Sequence, residues 1–324
     1  MDDFLELLAC PLCRGALNAD WSCRSCKKRY EALDDIPNLR LQSDARVETV
    51  RRFYEDAPFP GYPSRDTLTW LYARAERSQF ARELDRVIPP GARVLDIGCG
   101  TGQLDLYLAR GDRLIIGADI ARKSLEQGAA AAKRLRLSQV RFVETDLHNP
   151  GLRDASFDVV YSSGVLHHTP DPRASFARIA RLVRPGGVIV LGLYNTLARI
   201  PHRLRRTIAR LTKYRFIPFD PVLRDRDNEP ERRQAWLRDQ YQHPEEHRHS
   251  LPEVQSWFRE NGIEYVSAYP SALIGEEAKD LFCLADDNWR LESWFAQLGW
   301  IHSLAHEGGL FITIGLRSNE IHSG

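Results

Sequence analysis

Two groups of residues in this chain have the types and spacing that do chemistry. The first is Val94-Leu95-Asp96-Ile97-Gly98-Cys99-Gly100-Thr101-Gly102, in which an apolar run ends in a carboxylate and three alternate glycines follow. Alternate glycines remove the Cβ atoms that keep a ligand off the backbone, and a helix opening just beyond them presents unpaired N–H groups. Such a turn holds a polar or anionic ligand at close range. A dinucleotide fingerprint needs a third glycine in a G-x-G-x-x-G frame, and that slot holds Gln103, which argues against nicotinamide chemistry. The second group is Cys10-Pro11-Leu12-Cys13 with Cys23-Arg24-Ser25-Cys26. Each pair can aim two thiolates at one tetrahedral ion, at about 2.3 Å per Zn–S bond. Four sulfurs leave no open position, so the metal they imply is structural rather than catalytic.

The elements that must position the first group follow from periodicity. Arg93 to Ile97 predicts a strand, Leu114 to Asp119 a second, Val140 to Leu147 a third and Phe157 to Ser163 a fourth, with helical patterns between them, as in Ser124 to Leu135 and Phe176 to Val183. The turn Arg184-Pro185-Gly186-Gly187 leads into a fifth strand, Val188 to Asn195. Carboxylates recur at the strand ends. Asp119 is suited to accept hydrogen bonds from both hydroxyls of a ribose. The pair His167-His168 follows the fourth strand, where a histidine of ordinary pKa near ~6.5 could take a proton from a substrate.

These stretches resemble class I S-adenosylmethionine-dependent methyltransferases, in the small-molecule form seen in ubiquinone and menaquinone methyltransferases. The resemblance is close from about Arg93 to Asn195 and includes two later strands. It implies a Rossmann-like α/β fold with a seven-stranded doubly wound sheet and one antiparallel strand at the far edge. It further implies that Asp96 lies near the cofactor's amino group, that Gly98, Cys99, Gly100 and Gly102 line its path, and that Asp119 and Ile120 meet its ribose. Asp146 and Leu147 would bond the adenine, and Ser162 and Ser163 would lie beside the methionine. Tyr194 and Asn195 fall where acceptors usually sit. His167, His168 and Tyr194 are therefore the candidate catalytic groups. The cysteine segment resembles the zinc ribbons that accompany some methyltransferases, with Cys10, Cys13, Cys23 and Cys26 as ligands.

Around the core the chain divides into a ribbon (1–42), an aromatic linker with lead-in helices over the cleft (43–92), the cofactor-binding core (93–195), a helical cap insertion (196–250), a core helix and strand (251–269), an aromatic insertion (270–309) and a last strand with a tail (310–324). In the linker, Tyr54 and Tyr62 are candidates to close over cofactor or substrate. Leu68 to Ile88 predicts one helix. In the cap, Leu197, Ile200, Leu204, Ile208 and Leu211 share one helical face, with seven basic residues between Arg199 and Arg215 lying elsewhere. Asp239 to His249 reads as a polar loop facing substrate. Trp289, Trp294, Trp300 and Phe295 of the aromatic insertion read as core, as do Cys99 and Cys283.

Composition bounds the partners. Lys plus Arg total 45 against 44 for Asp plus Glu, so no global field favours nucleic acid. The acidic start and the lack of a long apolar run predict neither a signal peptide nor a membrane span, and closely paired cysteines suit a reducing, cytoplasmic compartment. The expectation is methyl transfer to a small-molecule acceptor. An RNA methyltransferase using the ribbon to hold RNA, and a non-catalytic binding module, are the less favoured readings.

Overall fold

The computed structural model describes residues 3–59, 67–220, 222–223, 230–271, 282, 290–304 and 308–319. Tyr62, Trp289 and Cys283 lie outside them, as does the side chain of Trp294. In chain order the elements are α1 (Asp3–Glu6), β1 (Ala32–Leu33), β2 (Ile36–Pro37), α2 (Ala45–Asp56), α3 (Leu68–Ala75), α4 (Gln79–Val87), β3 (Arg93–Ile97), α5 (Gln103–Leu108), β4 (Leu114–Asp119), α6 (Arg122–Leu135), β5 (Val140–Glu144), β6 (Phe157–Ser163), α7 (Pro172–Ala180), β7 (Val183–Tyr194) and α8 (Ile200–Leu211). They continue with α9 (Pro230–Gln242), α10 (Leu251–Glu260), β8 (Ile263–Tyr269), α11 (Arg290–Ser303) and β9 (Leu310–Arg317).

Strands β3 to β9 form the expected seven-stranded sheet, in the order β5-β4-β3-β6-β7-β9-β8. Strands β5, β4, β3, β6 and β7 pair in parallel; helices α5, α6 and α7 make the crossovers after β3, β4 and β6, and an irregular stretch joins β5 to β6. The order reverses beside β3, between β4 and β6, and there a crevice opens beyond the strand ends. The antiparallel strand is not at the edge as expected. It is β9, which enters between β7 and β8 and runs against both.

One local departure has a plain cause. The predicted helix from Leu68 to Ile88 is two, because the Ser78 hydroxyl accepts the Ala81 N–H and starts α4 afresh. The ribbon has no core apart from the sheet. Phe4, Leu7, Leu8, Cys10, Leu17 and Cys23 are buried in one cluster with Leu152, Phe157 and Val160. Arg14 bridges it to the main domain through the Pro150 and Leu152 carbonyls and, at 2.6 Å, Asp154.

In the aromatic insertion, Trp300 is buried with its ring centroid 5.4 Å from that of Phe311, as a core residue should be, whereas Phe295 is exposed.

Candidate functional site

The glycine turn leaves β3 with Gly98 at φ +83° and Gly102 at φ +70°, conformations that other residues resist. Space is also short at Gly98. A Cβ there would lie 2.2 Å from Val165 Cγ2. Because the turn is bare, backbone from Gly98 to Gly100 lines a cavity of about 440 Å3 at the carboxyl edge of the sheet.

Asp96, Asp119 and Asp146 come from or just beyond three neighbouring strands, and all three lie on the wall of that cavity, with Cys99, Ile120, Leu147 and Ser163. Asp119 accepts the Gly100 N–H at 2.9 Å on one oxygen and the Ala121 N–H at 2.8 Å on the other. It thus fastens the glycine turn to the tip of β4 and keeps a lone pair on each oxygen for a ligand. Asp146 accepts from the His148 ring at 2.8 Å and from the Ser43 hydroxyl at 2.8 Å.

Asp96 does not stand alone. The buried carboxyl of Asp105 on α5 lies against it, and no other group bonds either Asp105 oxygen. Burial raises both acids, Asp105 to about 8, and the Asp105 carboxyl beside it raises Asp96 further, so the pair keeps a proton at neutral pH. That proton is taken from solvent as the chain folds. The contribution to stability is therefore complete in acid, below the ordinary aspartate value of ~3.9, and is lost as pH climbs toward the raised one. Asp105→Asn offers Asp96 an amide N–H without drawing a proton. It is expected to flatten the decline in stability by roughly 1 kcal/mol per pH unit between about pH 5 and pH 8. Urea melts across that range read the effect, and identical slopes for the two proteins would rule the shared proton out.

The cavity has a roof made of two elements far apart in sequence. Val47, Val50 and Tyr54 of α2 and Trp236, Asp239 and Gln240 of α9 all line it. The Tyr54 hydroxyl donates to Asp239 at 2.9 Å, and Gln240 donates to Asp239 at 2.9 Å and to the Tyr194 hydroxyl at 2.7 Å. Helix α2 is held there from below as well, since Glu55 accepts the Arg122 N–H at 2.7 Å at the start of α6. The aliphatic residues, Trp236 and Gln240 carry no motif. Only the contact of α2 with α9 reveals them.

His168 lies on the wall; its Nδ1–H donates to the Glu245 carbonyl at 2.7 Å, its ring stacks on His243 at 3.6 Å, and its Nε2 has no partner. Burial pushes its pKa down to about 4, so at neutral pH the ring is uncharged and Nε2 offers a lone pair. Four expectations need correcting. Gly102 is not on the cavity wall; it packs against Phe142 and Asp105, where a Cβ would lie 2.8 Å and 2.9 Å from their side chains. His167 is not at the cleft mouth; it is fully buried behind Tyr194, ring centroids 3.8 Å apart, with the His168 ring edge-on to it at 4.2 Å. Ser162 faces away from the cavity and donates to the Ile97 carbonyl at 2.8 Å, since successive strand residues point to opposite sides and Ser163 takes the open one. Asn195 is buried as a turn residue: its side-chain oxygen accepts the Leu197 and Ala198 N–H groups and its amide donates to Gln297 at 2.9 Å.

The four ribbon sulfurs lie within 4.8 Å of one another. The Cys10–Cys26 separation is 3.7 Å and the Cys13–Cys23 separation 3.4 Å, close to the edge of about 3.8 Å that tetrahedral Zn–S bonding requires. The two knuckles share one backbone pattern. Arg14 N–H returns to Cys10 O and Lys27 N–H to Cys23 O, both residues at left-handed φ near that of glycine. The Tyr30 hydroxyl donates to Cys10 Sγ at 2.9 Å, a second contact of the kind that orients metal ligands. The site fits a structural zinc. Among the described residues it is the one cluster of this kind, so the histidines between 243 and 249 form no metal site there.

Residues 95–191 match the methyltransferase domain family. A protein of Synechococcus described as uncharacterized is 26% identical over 256 residues, covering 69% of this chain and 60% of that protein. A methyltransferase of Mycobacterium bovis, also described as uncharacterized, is 35% identical over 114 residues, covering 35% of this chain and 56% of that protein. The ubiquinone biosynthesis O-methyltransferase of Paracidovorax citrulli is 36% identical over 110 residues, covering 34% of this chain and 46% of that protein. The matches thus span about half the length of these relatives.

Proposed function

We propose that this chain, whose core is a class I S-adenosylmethionine-dependent methyltransferase domain, moves a methyl group from that cofactor to an oxygen, nitrogen or carbon atom of a small or mid-sized acceptor. One observation carries the reading: the bare glycine turn and the carboxylates Asp96, Asp119 and Asp146 share the wall of one cavity. When bound, the cofactor supplies an electrophilic methyl group on a sulfonium.

The chain supplies grip, alignment and exclusion of water. Asp96 suits a ligand ammonium group, and the free lone pairs of Asp119 suit a ribose diol. Asp146 and the Leu147 amide suit the adenine edge, with Ser43 and His148 fixing the carboxylate's orientation. On the acceptor side, Tyr54, Tyr194, Asp239, Gln240 and His168 give a polar rim to an otherwise apolar chamber. His168 Nε2 accepts an acceptor O–H or N–H and orients it. With its pKa near 4 it is too weak a base to keep that proton at neutral pH. The ribbon would hold its zinc as a structural staple, and cysteines paired for a metal rather than for disulfides suit a reducing, cytoplasmic compartment.

Titration calorimetry with S-adenosylmethionine and its demethylated product tests the reading. Asp119→Asn is expected to weaken both by roughly 10-fold to 100-fold, the loss of charge-assisted bonds to two hydroxyls. A folded, zinc-loaded protein that binds neither ligand would end the proposal.

A further inference from the structure

The cap insertion contains a helix that is assembled inside out. Helix α8 has an apolar stripe of Ile200, Leu204, Ile208 and Leu211, spaced by turns of the helix. A stripe of that kind normally packs against the core. Here it faces away. Leu204 is 64% exposed and Leu211 80%, and Ile200 and Ile208 are exposed as well. The buried residues of the helix are His202 and Ala209, on the opposite side.

What holds α8 down is a small apolar contact of Ala209 with Val222, Leu223, Trp236 and Tyr241, and around it a set of polar bonds. His202 Nε2 bonds the Gln240 carbonyl at 2.9 Å, and Arg206 reaches the Tyr241 and His243 carbonyls and, at 2.8 Å, Glu246. The apolar stripe does not end with the helix. Phe216 is exposed and Phe219 is 93% exposed in the segment that follows. Six large apolar side chains in one stretch, left in water, exceed the scattered exposure of an ordinary surface.

The charges beside the stripe say what covers it. No acidic residue occurs from Leu197 to Phe219. Arg203 and Arg210 lie along one edge of the stripe, Arg205 along the other, and Lys213 and Arg215 follow. None of these five has an ion-pair partner among the described residues, in contrast to Arg199 and Arg206, which share Glu246. A second copy of the chain docked face to face would set these cations against one another. A nucleic acid would use the cations and leave the apolar stripe wet. An anionic lipid surface satisfies both, taking the stripe among its acyl chains and the basic flanks at headgroup level.

We propose that α8 and the segment through Phe219 dock this protein on anionic membranes, lying in the interface. Among the described residues no helix is long and apolar enough to span a bilayer, so this contact is peripheral. Helix α8 begins shortly after Tyr194, a cavity residue, and packs on α9, which carries the cavity's Asp239 and Gln240. The docking surface and the cavity roof therefore belong to one unit. The inference stands whether or not methyl transfer is the chemistry below it.

Flotation of the full chain with vesicles tests it. The protein is expected to float with phosphatidylglycerol-rich vesicles and to stay behind with pure phosphatidylcholine. The pair L204E/L211E should lower vesicle partitioning by about tenfold or more, and R203E/R210E by a similar factor. Circular dichroism and titration with S-adenosylmethionine should be unchanged in both variants, since no substituted residue touches the cavity. Three outcomes would each overturn the proposal. The first is wild-type protein that ignores anionic vesicles. The second is L204E/L211E binding them as well as wild type, with RNA competing equally, which marks a polyanion surface. The third is a dimer in sedimentation that L204E dissolves while no vesicle binds.

Discussion

Gly98→Ala is expected to remove measurable S-adenosylmethionine binding from a protein that still folds. Two costs meet at this residue. Its φ of +83° is a conformation in which a side chain costs about 1–2 kcal/mol. The new methyl carbon would also lie 2.2 Å and 2.5 Å from the two methyl groups of Val165 and 2.9 Å from their branch carbon. A branched side chain cannot swing aside as a flexible tip would, so overpacking adds about 1–3 kcal/mol. Stability falls by a few kcal/mol out of a total of roughly 5–15. Binding suffers more. The strain is relieved by shifting the turn that lines the cavity, and a displacement near 1 Å can cost on the order of 100-fold.

Gly91→Ala separates the two costs. Gly91 has a similar φ of +72°, but a Cβ there meets nothing within 4 Å. It is expected to lose only about 1 kcal/mol and to bind cofactor normally. The double variant Gly98→Ala/Val165→Ala should recover part of the affinity, because it removes the obstacle and leaves the backbone cost. Calorimetry and urea melts on the three proteins read these effects. Normal binding by Gly98→Ala would mean that this turn does not touch the ligand.

Cys13→Ser is expected to strip the ribbon of its metal and to destabilise the sheet as well. A four-sulfur zinc site in a small module is worth about 10–16 kcal/mol of apparent binding energy in isolated peptides. Cys13 is exposed, so the exchange itself disturbs no packing. Its partners Cys10 and Cys23 are buried among Leu8, Leu152 and Phe157, so loosening the knuckles opens the core beneath the strands. A fall in the melting midpoint of roughly 10 °C or more follows. Leu12→Ser, at an exposed neighbour, is the control and should change little.

The same loss should reach the cavity. From the ribbon the chain runs through β2 to Leu39, whose N–H donates to the Glu144 carbonyl at 2.8 Å, and on to Ser43, which holds Asp146. Cofactor affinity is therefore expected to drop several-fold in protein that remains folded. Zinc content, melting midpoint and calorimetry should move together. A zinc-free variant with an unchanged midpoint would show that apolar packing alone secures the ribbon.

Whatever depends on near neighbours in the chain was legible beforehand. The glycine turn, the acids at the strand tips and the paired cysteines are such features, because a strand or a turn fixes the directions of residues two to five places apart. The structure sets Asp96, Asp119 and Asp146 around one cavity, and it places the four sulfurs at metal-binding separations. Features that depend on which distant surface arrives were not legible. Whether Ser162 or Ser163 meets the cavity depended on strand register, and whether Asn195 met a ligand depended on Gln297 reaching it. Tyr54 found Asp239 across 185 residues, which no period or motif encodes.

Helix α8 shows the limit most plainly. Its amphipathic pattern was plain in the sequence, but the direction in which it turned was not. The cap offered it carbonyl groups and Glu246 around an apolar bed wide enough only for Ala209, so its polar side went inward, where Arg206 and His202 could be satisfied. A pattern states which residues share a face. Only the chemistry of the opposing surface decides which face is buried.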